Sequence, residues 1–295
     1  MRLAPPFRSW VRHRATRAAR RGIAAAFVVA AAVAAGPACT EVGTDPSAPV
    51  AIELDPTTMP SVVIGDSMRD SLGRAVTLAA RALNSQNERI PDAPLRFLAI
   101  DTGFVVVDSV SGHVVGRKVG EAQVIASVGG LQSERIVVRV TLRPDTVFAD
   151  TATRQTMLVS LVSPTAASSE ALRVFVGHDT VIAGTDTLVG VRHYLVRFRI
   201  VSPTGDTVSA TDTSRVLLYS DRTGGRASTA DTTDENGRAR LFVRISTAVR
   251  TIPDSVVVEA NVSRPDATPL PGSPVRFTVR INQGAPARAS NSAED

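Results

Sequence analysis

The 295-residue chain contains one cysteine and one tryptophan, and its aromatic content is 4%. A single cysteine cannot form a disulfide within the chain, and it excludes a zinc site built from several cysteines. No apolar run reaches the roughly 18 residues that a membrane-spanning helix needs. A hydrophobic content of 43% is nevertheless enough for a buried core, and the length allows one or two domains of roughly 100–200 residues.

The excess of positive charge is confined to the N-terminus. Seven of the 33 basic residues lie in residues 1–38, which hold no acidic residue, so 26 basic and 28 acidic residues remain from Cys39 onward. The rest of the chain therefore lacks the basic surface that is typical of nucleic-acid binding, and no nucleic-acid partner is expected.

The first 38 residues have the organisation of an export signal. A basic segment ends at Arg21, a 13-residue apolar run (IAAAFVVAAAVAA) follows, and Gly36-Pro37-Ala38-Cys39 comes next. This order resembles the signal peptide of bacterial lipoproteins. The resemblance implies cleavage before Cys39, acylation of its thiol and anchoring of the chain in a membrane.

Two alternatives stay open for this segment. Gly36 stands where lipoprotein signals prefer leucine, so residues 1–38 also fit a plain secretory signal in which Cys39 is incidental. The Arg20-Arg21 pair before the apolar run also fits twin-arginine export. The lipoprotein interpretation predicts an exported protein of the cell envelope, at the outer membrane or cell surface.

Beyond Cys39 the sequence predicts an all-β protein. Residues 39–49 are small and polar, and they are expected to form a tether. Short runs rich in Val, Ile and Thr follow, separated by Gly, Pro, Asp and Ser, and several alternate polar with apolar positions as half-buried strands do. Asp70–Asn84 also fits a helix by composition, although its β context favours a strand.

Residues 50–142 carry a pattern of regularly placed glycines. A proline-ended first strand at Val50–Pro56 and a Val63–Asp66 turn precede Ser111–Ala126, which contains Gly112, Gly116 and Gly120. This pattern resembles the bacterial Ig-like group 2 domain, in which a tryptophan occupies the place of Phe97. The resemblance implies a β-sandwich with Phe97 in its core. The three glycines are expected at turns that need a positive φ or leave no room for a side chain.

The second half contains an acidic turn. The sequence from Asp231 to Leu241 (DTTDENGRARL), with Val196–Ile200 before it and Val256–Ala260 after it, resembles the bacterial Ig-like group 1, or invasin-type, domain. The resemblance implies a second β-sandwich over residues 155–282, in which Thr187–Val201 is expected as one strand.

The two resemblances together predict two tandem Ig-like Greek-key β-sandwiches after an N-terminal signal helix. Residues 143–154 are expected to be a linker that includes a possible first strand of the next domain at Asp145–Phe148. Residues 283–295 are polar and without apolar periodicity, so a disordered tail is expected.

Candidate catalytic residues do not form a recognised motif. The chain has no Gly-x-Ser-x-Gly elbow and no His-x-x-x-His pair. His178 and Asp179 follow a predicted strand, and a serine would be needed to complete a triad with them. His113 is expected in a turn and His193 within a strand.

The acidic turn is also a candidate calcium site. Asp231, Asp234, Glu235 and Asn236 could supply oxygen ligands, which calcium prefers. Gly237 is however the seventh residue from Asp231, whereas a calcium loop has its glycine at the sixth place. Turn hydrogen bonds and a positive φ at Gly237 account for the same pattern without a metal, so no metal or cofactor is expected.

These features predict a non-catalytic, lipid-anchored cell-surface protein whose Ig-like domains serve in adhesion, in binding or as a spacer. The expected partners are a membrane, through a lipid on Cys39, and a protein or glycan ligand at the cell surface. The alternative is a secreted or periplasmic metal-dependent receptor or enzyme with its site in residues 143–193. Within that segment, residues 163–193 have no counterpart in the family patterns.

Overall fold

The computed structural model describes residues 48–160, 167–203, 216–223, 225–245 and 252–284. The predicted signal helix, Cys39, most of the tether and residues 285–295 of the predicted tail lie outside the described residues. The described ranges contain strands and turns but no α-helix, and thus no helix that is long and apolar enough to cross a membrane.

Nine strands form the first sandwich: β1 (Ala51–Leu54), β2 (Val62–Val63), β3 (Ala80–Leu83), β4 (Arg96–Ala99), β5 (Val105–Val107), β6 (Val114–Gly116), β7 (Gly120–Val128), β8 (Leu131–Gln132) and β9 (Ile136–Thr141). One sheet has the order β2-β9-β7-β4, in which β2 is parallel to β9 and the other neighbours are antiparallel. The pairs β1-β3 and β5-β6 form the opposing layer, and a bridge between Thr77 and His113 links them.

Side-chain alternation builds the core of this sandwich. In β4, Phe97 and Ala99 are buried while Arg96 and Leu98 are exposed, as the two-residue period of a strand requires. Phe97 packs with Val105 and other apolar residues of the opposing layer, so its predicted place in the core is confirmed. The 70–84 segment contributes β3 and forms no helix, which confirms the strand interpretation for its last residues.

The described residues of the second sandwich contain eleven strands: β10 (Thr146–Ala149), β11 (Arg154–Ser160), β12 (Ala167–Ser168), β13 (Leu172–Ile182), β14 (Thr185–Gly190), β15 (Leu195–Ser202), β16 (Val216–Tyr219), β17 (Ala230–Thr232), β18 (Arg238–Ile245), β19 (Ser255–Asn261) and β20 (Val275–Gly284). One sheet contains the order β10-β13-β18-β16, with β12 also paired to β18. The other has the order β11-β20-β19-β15-β17, in which β11 is parallel to β20.

Arginines alternate with apolar residues along several of these strands. In β18, Arg238 and Arg240 face solvent while Ala239 and Leu241 are buried. The inward residues join fully buried side chains such as Phe277 in one continuous core between the two sheets. Burial of apolar surface on one face of each sheet is the main driving force for this arrangement.

The strand orders are those of the immunoglobulin fold. In the second sandwich, β10-β13-β18-β16 and β20-β19-β15 correspond to the ABED and GFC sheets of a constant-type Ig domain. In the first sandwich, β9-β7-β4 repeats the GFC order. The chain therefore has the predicted all-β class, with two tandem Ig-like Greek-key sandwiches.

Several predicted boundaries are corrected by the strand pairing. The strand expected at Asp145–Phe148 forms as β10, and because it pairs with β13, this part of residues 143–154 belongs to the second sandwich rather than to a linker. The predicted strand Thr187–Val201 is two strands, because the chain turns between them and His193 has a φ of 55°. Residues 283 and 284, predicted in the tail, extend β20 alongside β11.

Candidate functional site

The two sandwiches meet at a junction formed by Ser61, Val63 and Thr141 of the first and by Arg192 and His193 of the second. Val63 is 6% exposed and packs within the core of the second sandwich. Ser61 Oγ donates to the carbonyl of His193 and Thr141 Oγ1 to the carbonyl of Arg192, both at 2.6 Å. Both sandwiches accordingly belong to one compact unit.

A cleft of about 100 Å³, here called the junction cleft, opens beside these contacts. Its walls come from β2 and the loop after it, from the start of β15 and from the loop between β19 and β20. The lining includes Arg69, Tyr194, Arg197, Asn261, Ser263 and Arg264. Sites for drug-sized ligands measure roughly 300–1,000 Å³, so this cleft admits only a small group.

Tyr194 is held rigidly at the cleft. Its hydroxyl donates to the carbonyl of Ser263 at 2.6 Å, and its backbone N–H is bonded to Thr233 Oγ1 at 2.8 Å. Thr233 in turn donates to the carbonyl of Val191 at 2.6 Å. Burial raises the pKa of the Tyr194 phenol well above its usual value, so the hydroxyl remains a donor throughout the physiological range.

Arg69 is neutralised within its own loop. Its Nε and Nη2 bond to the two carboxylate oxygens of Asp66, each at 2.9 Å, and its Nη1 donates to the carbonyl of Gly73 at 2.8 Å. The hydrogen bond to Asp66 raises the pKa of Arg69 above its usual value. A paired, bidentate arginine of this kind has little capacity left for a ligand.

The carboxylates of Asp70 and Asp266, beside the cleft, already accept hydrogen bonds from their own loops. Asp70 accepts the backbone N–H groups of Arg74 and Leu72 and pairs with the Arg74 guanidinium at 2.8 Å. Asp266 accepts the hydroxyl and the backbone N–H of Thr268 at 2.6 and 3.0 Å. The backbone N–H of Arg74 and the Thr268 hydroxyl are the main causes that lower the pKa of Asp70 and Asp266 respectively.

Arg197 and Arg264 differ from these residues because no carboxylate holds their guanidinium groups, and the nearby Asp266 interacts with Arg264 through its charge alone. Neither guanidinium makes an ion pair or a hydrogen bond with another residue of the described ranges, and Nε of Arg264 is buried without a partner. The junction cleft therefore presents positive charge and unused N–H donors. The sequence did not predict this site, because the two arginines are far apart in the chain and lie in no motif.

The predicted calcium residues do not converge on one point. Asp234 Oδ1 accepts the backbone N–H groups of Asn236 and Arg238 at 2.8 and 3.0 Å. Gly237 has a φ of 76°, which lets the chain reverse within this turn. The Asp234 carboxylate thus organises the turn by accepting two of its backbone N–H groups.

The remaining acidic residues of this turn bond elsewhere. Asp231 Oδ2 accepts the backbone N–H of Arg240 at 2.7 Å, and Glu235 pairs with Arg192 at 2.7 Å. The part of the chain that the structure describes contains no group of three or more His, Cys, Asp or Glu that could hold a metal ion.

His178 meets a different carboxylate from the one that the sequence suggested. Its Nδ1 lies 2.6 Å from Asp145 Oδ2, and the backbone N–H of Asp179 donates to the same oxygen at 3.1 Å. His178 lies within β13 rather than after a strand. No hydroxyl group of the described ranges bonds to this pair, so the structure assembles no triad around it.

The predicted turn glycines of the first sandwich fall into two groups. Gly112 and Gly120 have φ values of 69° and 149°. Gly116 is not a turn residue, because it ends β6. A Cβ at Gly116 would lie 2.9 Å from Val140 Cγ1 and 3.0 Å from the carbonyl oxygen of Val63, so close packing explains the glycine.

The described residues of segment 163–193, which the family patterns did not cover, form β12, β13, β14 and the following turn. Beyond Gly177, β13 extends with β14 as a two-stranded hairpin that turns at Ala183-Gly184. Val181 and Ile182 near its tip are 64% and 54% exposed. Residues 178–189 are here called the protruding hairpin, and within the described residues no third strand pairs with them.

Comparisons with known proteins identify no family. No family pattern and no curated protein sequence matches the chain. Among solved structures, it is similar to domains 4 and 5 of the S-layer protein SbsC, with 14% identity, 78% of this chain and 96% of that chain covered, and a TM-score of 0.28.

Two further solved structures are similar at the same level. The D00-D0 domain of Intimin is 13% identical over 77% of this chain and 98% of its own, with a TM-score of 0.24. The Yersinia pseudotuberculosis adhesin InvE is 15% identical over 78% of this chain and 58% of its own, with a TM-score of 0.28. Because these scores are low, the Ig-like assignment rests on the strand order of the chain itself.

Proposed function

We propose that this chain is an exported, lipid-anchored protein of the bacterial cell envelope. Its two Ig-like sandwiches act as a non-catalytic spacer that presents a binding surface for a protein or glycan. The charged leader, the apolar run and Cys39 support export and anchoring at the outer membrane or cell surface.

The observation that carries the spacer role is the junction between the sandwiches. Val63 is shared with the second core, and the hydroxyls of Ser61 and Thr141 bond to carbonyls across the interface. Each hydrogen bond of this kind contributes about 1 kcal/mol to stability, and more is lost when one partner is left unsatisfied. These contacts oppose rotation of one sandwich against the other, as a spacer of defined geometry requires.

The protruding hairpin, residues 178–189, supports the binding role. Its strands offer unpaired edges to an incoming strand, and Val181 and Ile182 are exposed beside them. A partner that adds a strand to such an edge gains main-chain hydrogen bonds and apolar contact together. Loops and edges on a rigid scaffold are common places for recognition in sandwich proteins.

The alternative of a metal-dependent receptor or enzyme in residues 143–193 has less support. The described part of this segment forms strands of the second sandwich and the hairpin, and its His178–Asp145 pair has no neighbouring nucleophile or third metal ligand.

The deciding experiment is the intact mass and N-terminal peptide of the mature protein from its own host. We expect an acylated Cys39 as the first residue and membrane association that the C39A variant abolishes. An unmodified terminus near residues 38–40 would overturn the lipid anchor and leave a diffusible secreted or periplasmic protein. Retention of C39A in the membrane fraction would likewise contradict anchoring through this residue.

A further inference from the structure

We infer that the junction cleft binds one small oxyanion group, a phosphate or a carboxylate, through the guanidinium groups of Arg197 and Arg264. This inference does not depend on the proposed location of the protein, because the site is formed by the two sandwiches themselves.

The charges around the cleft do not balance. Asp66 is paired with Arg69, and Asp70 is paired with Arg74. Arg197 and Arg264 face the same space without any carboxylate within ion-pair distance in the described ranges. Asp266 interacts with Arg264 through its charge alone, and Arg197 has no balancing carboxylate, so the cleft keeps a local excess of positive charge.

One buried N–H donor at the cleft is unpaired among the described residues. Arg264 Nε is buried and has no hydrogen-bond partner, although buried polar groups are almost always paired in folded proteins. An arginine side chain carries five N–H donors in a planar fork, which matches the paired oxygens of a carboxylate or a phosphate. An oxyanion held by Arg264 would be the missing acceptor.

The volume of the cleft limits the size of the ligand. The cleft measures about 100 Å³, which is below the range for whole organic ligands but sufficient for a single oxyanion group. The ligand is therefore either a free anion or the charged end of a larger molecule that stays outside. Both kinds of ligand present the same oxyanion chemistry to the two arginines. Inorganic phosphate tests a free anion, and glucuronate tests a carboxylate on a larger molecule.

The test is calorimetric titration of the full mature chain with sodium phosphate and, separately, with sodium glucuronate at constant ionic strength. We expect saturable binding to at least one of them, and the stronger of the two identifies the group. R197Q and R264Q are each expected to weaken binding about tenfold, the usual effect of losing one charged hydrogen bond.

The matched control is R280Q, which removes an exposed arginine of β20 that is not part of the cleft lining. It should change the affinity by less than about twofold, since exposed charges act weakly at a distance. Because Arg197 is exposed, R197Q keeps the test decisive even if R264Q does not fold. Absence of saturation up to about 50 mM of either anion, or equal losses in R280Q and R197Q, overturns the inference.

Discussion

The hydroxyl of Thr141, the last residue of β9, donates a 2.6 Å hydrogen bond to the carbonyl of Arg192 in the other sandwich. Thr141 is fully buried, so its hydroxyl has no access to solvent. The last strand of the first sandwich therefore ends at a residue whose hydroxyl finds its hydrogen-bond partner in the second sandwich. This contact makes the two Ig-like sandwiches depend on each other for stability.

Replacing Thr141 with the isosteric valine tests this dependence. T141V removes the donor and leaves the carbonyl of Arg192 without this partner, which should lower the free energy of unfolding by about 1–3 kcal/mol. Urea denaturation measures the loss. T185V is the control, because Thr185 is exposed and its hydroxyl has no partner in the described residues. Equal urea midpoints for T141V and T185V would show that the Thr141–Arg192 hydrogen bond does not contribute to stability.

Gly237 should not tolerate a side chain. Its φ is 76°, and a Cβ would lie 2.6 Å from Gly190 Cα and 2.7 Å from the Val176 carbonyl oxygen, both of which are backbone atoms. We expect G237A to cost more than about 3 kcal/mol, from strain and from displacement of the neighbouring chain.

Gly184 at the hairpin turn is the matched control for Gly237. Its φ is 80°, but a Cβ there would have no atom within 4 Å. G184A should therefore cost only the backbone penalty of about 1 kcal/mol. Urea unfolding of both variants separates the two contributions, and similar losses would show that close packing at Gly237 contributes nothing.

Glu259 should make stability depend on pH. It is 6% exposed, and its carboxylate accepts hydrogen bonds from Arg276 at 2.6 Å and Arg199 at 3.0 Å. These bonds, with that of Arg276 the stronger cause, lower the pKa of Glu259 below its usual value. Because the folded pKa lies below the unfolded one, this stabilisation is present above the unfolded pKa and disappears as pH falls through the folded pKa.

E259Q should consequently be less stable than the parent protein at pH 7, by about 1 kcal/mol, since both arginines remain largely exposed to solvent. The difference should shrink as the pH is lowered below about 4. Urea midpoints between pH 7 and pH 3 provide the measurement, with E134Q as an exposed control. A difference that stays constant with pH would mean that the carboxylate charge is not responsible.

The protruding hairpin should be needed for attachment rather than for folding. The double variant V181T/I182T removes exposed apolar surface, so stability should change by less than about 0.5 kcal/mol. Binding of the purified chain to envelope or matrix polymers should fall relative to the parent protein. L158T is the control, since Leu158 is 73% exposed but lies on β11; equal loss in both variants would contradict a specific role of the hairpin.

Local sequence patterns predicted most strands, because alternation and turn residues act over a few neighbouring positions. The strands predicted at Val50–Pro56 and Asp145–Phe148 form as β1 and β10, each within two residues of the predicted bounds. The turn at His193 between β14 and β15 was not predicted, because a positive φ at a residue other than glycine cannot be recognised from the sequence. The pairing of His178 with Asp145 was also missed, because it depends on the register of β10 against β13.

The sequence by itself determined the β class, the two Ig-like patterns and the core position of Phe97, all of which follow from short-range periodicity and turn chemistry. Only the tertiary structure decided the junction and its cleft. Arg197 and Arg264 are brought together by the pairing of β15 with β19 and the loop that follows β19. Contacts between such distant residues depend on which strands pair and which surfaces are buried, and local patterns do not encode either.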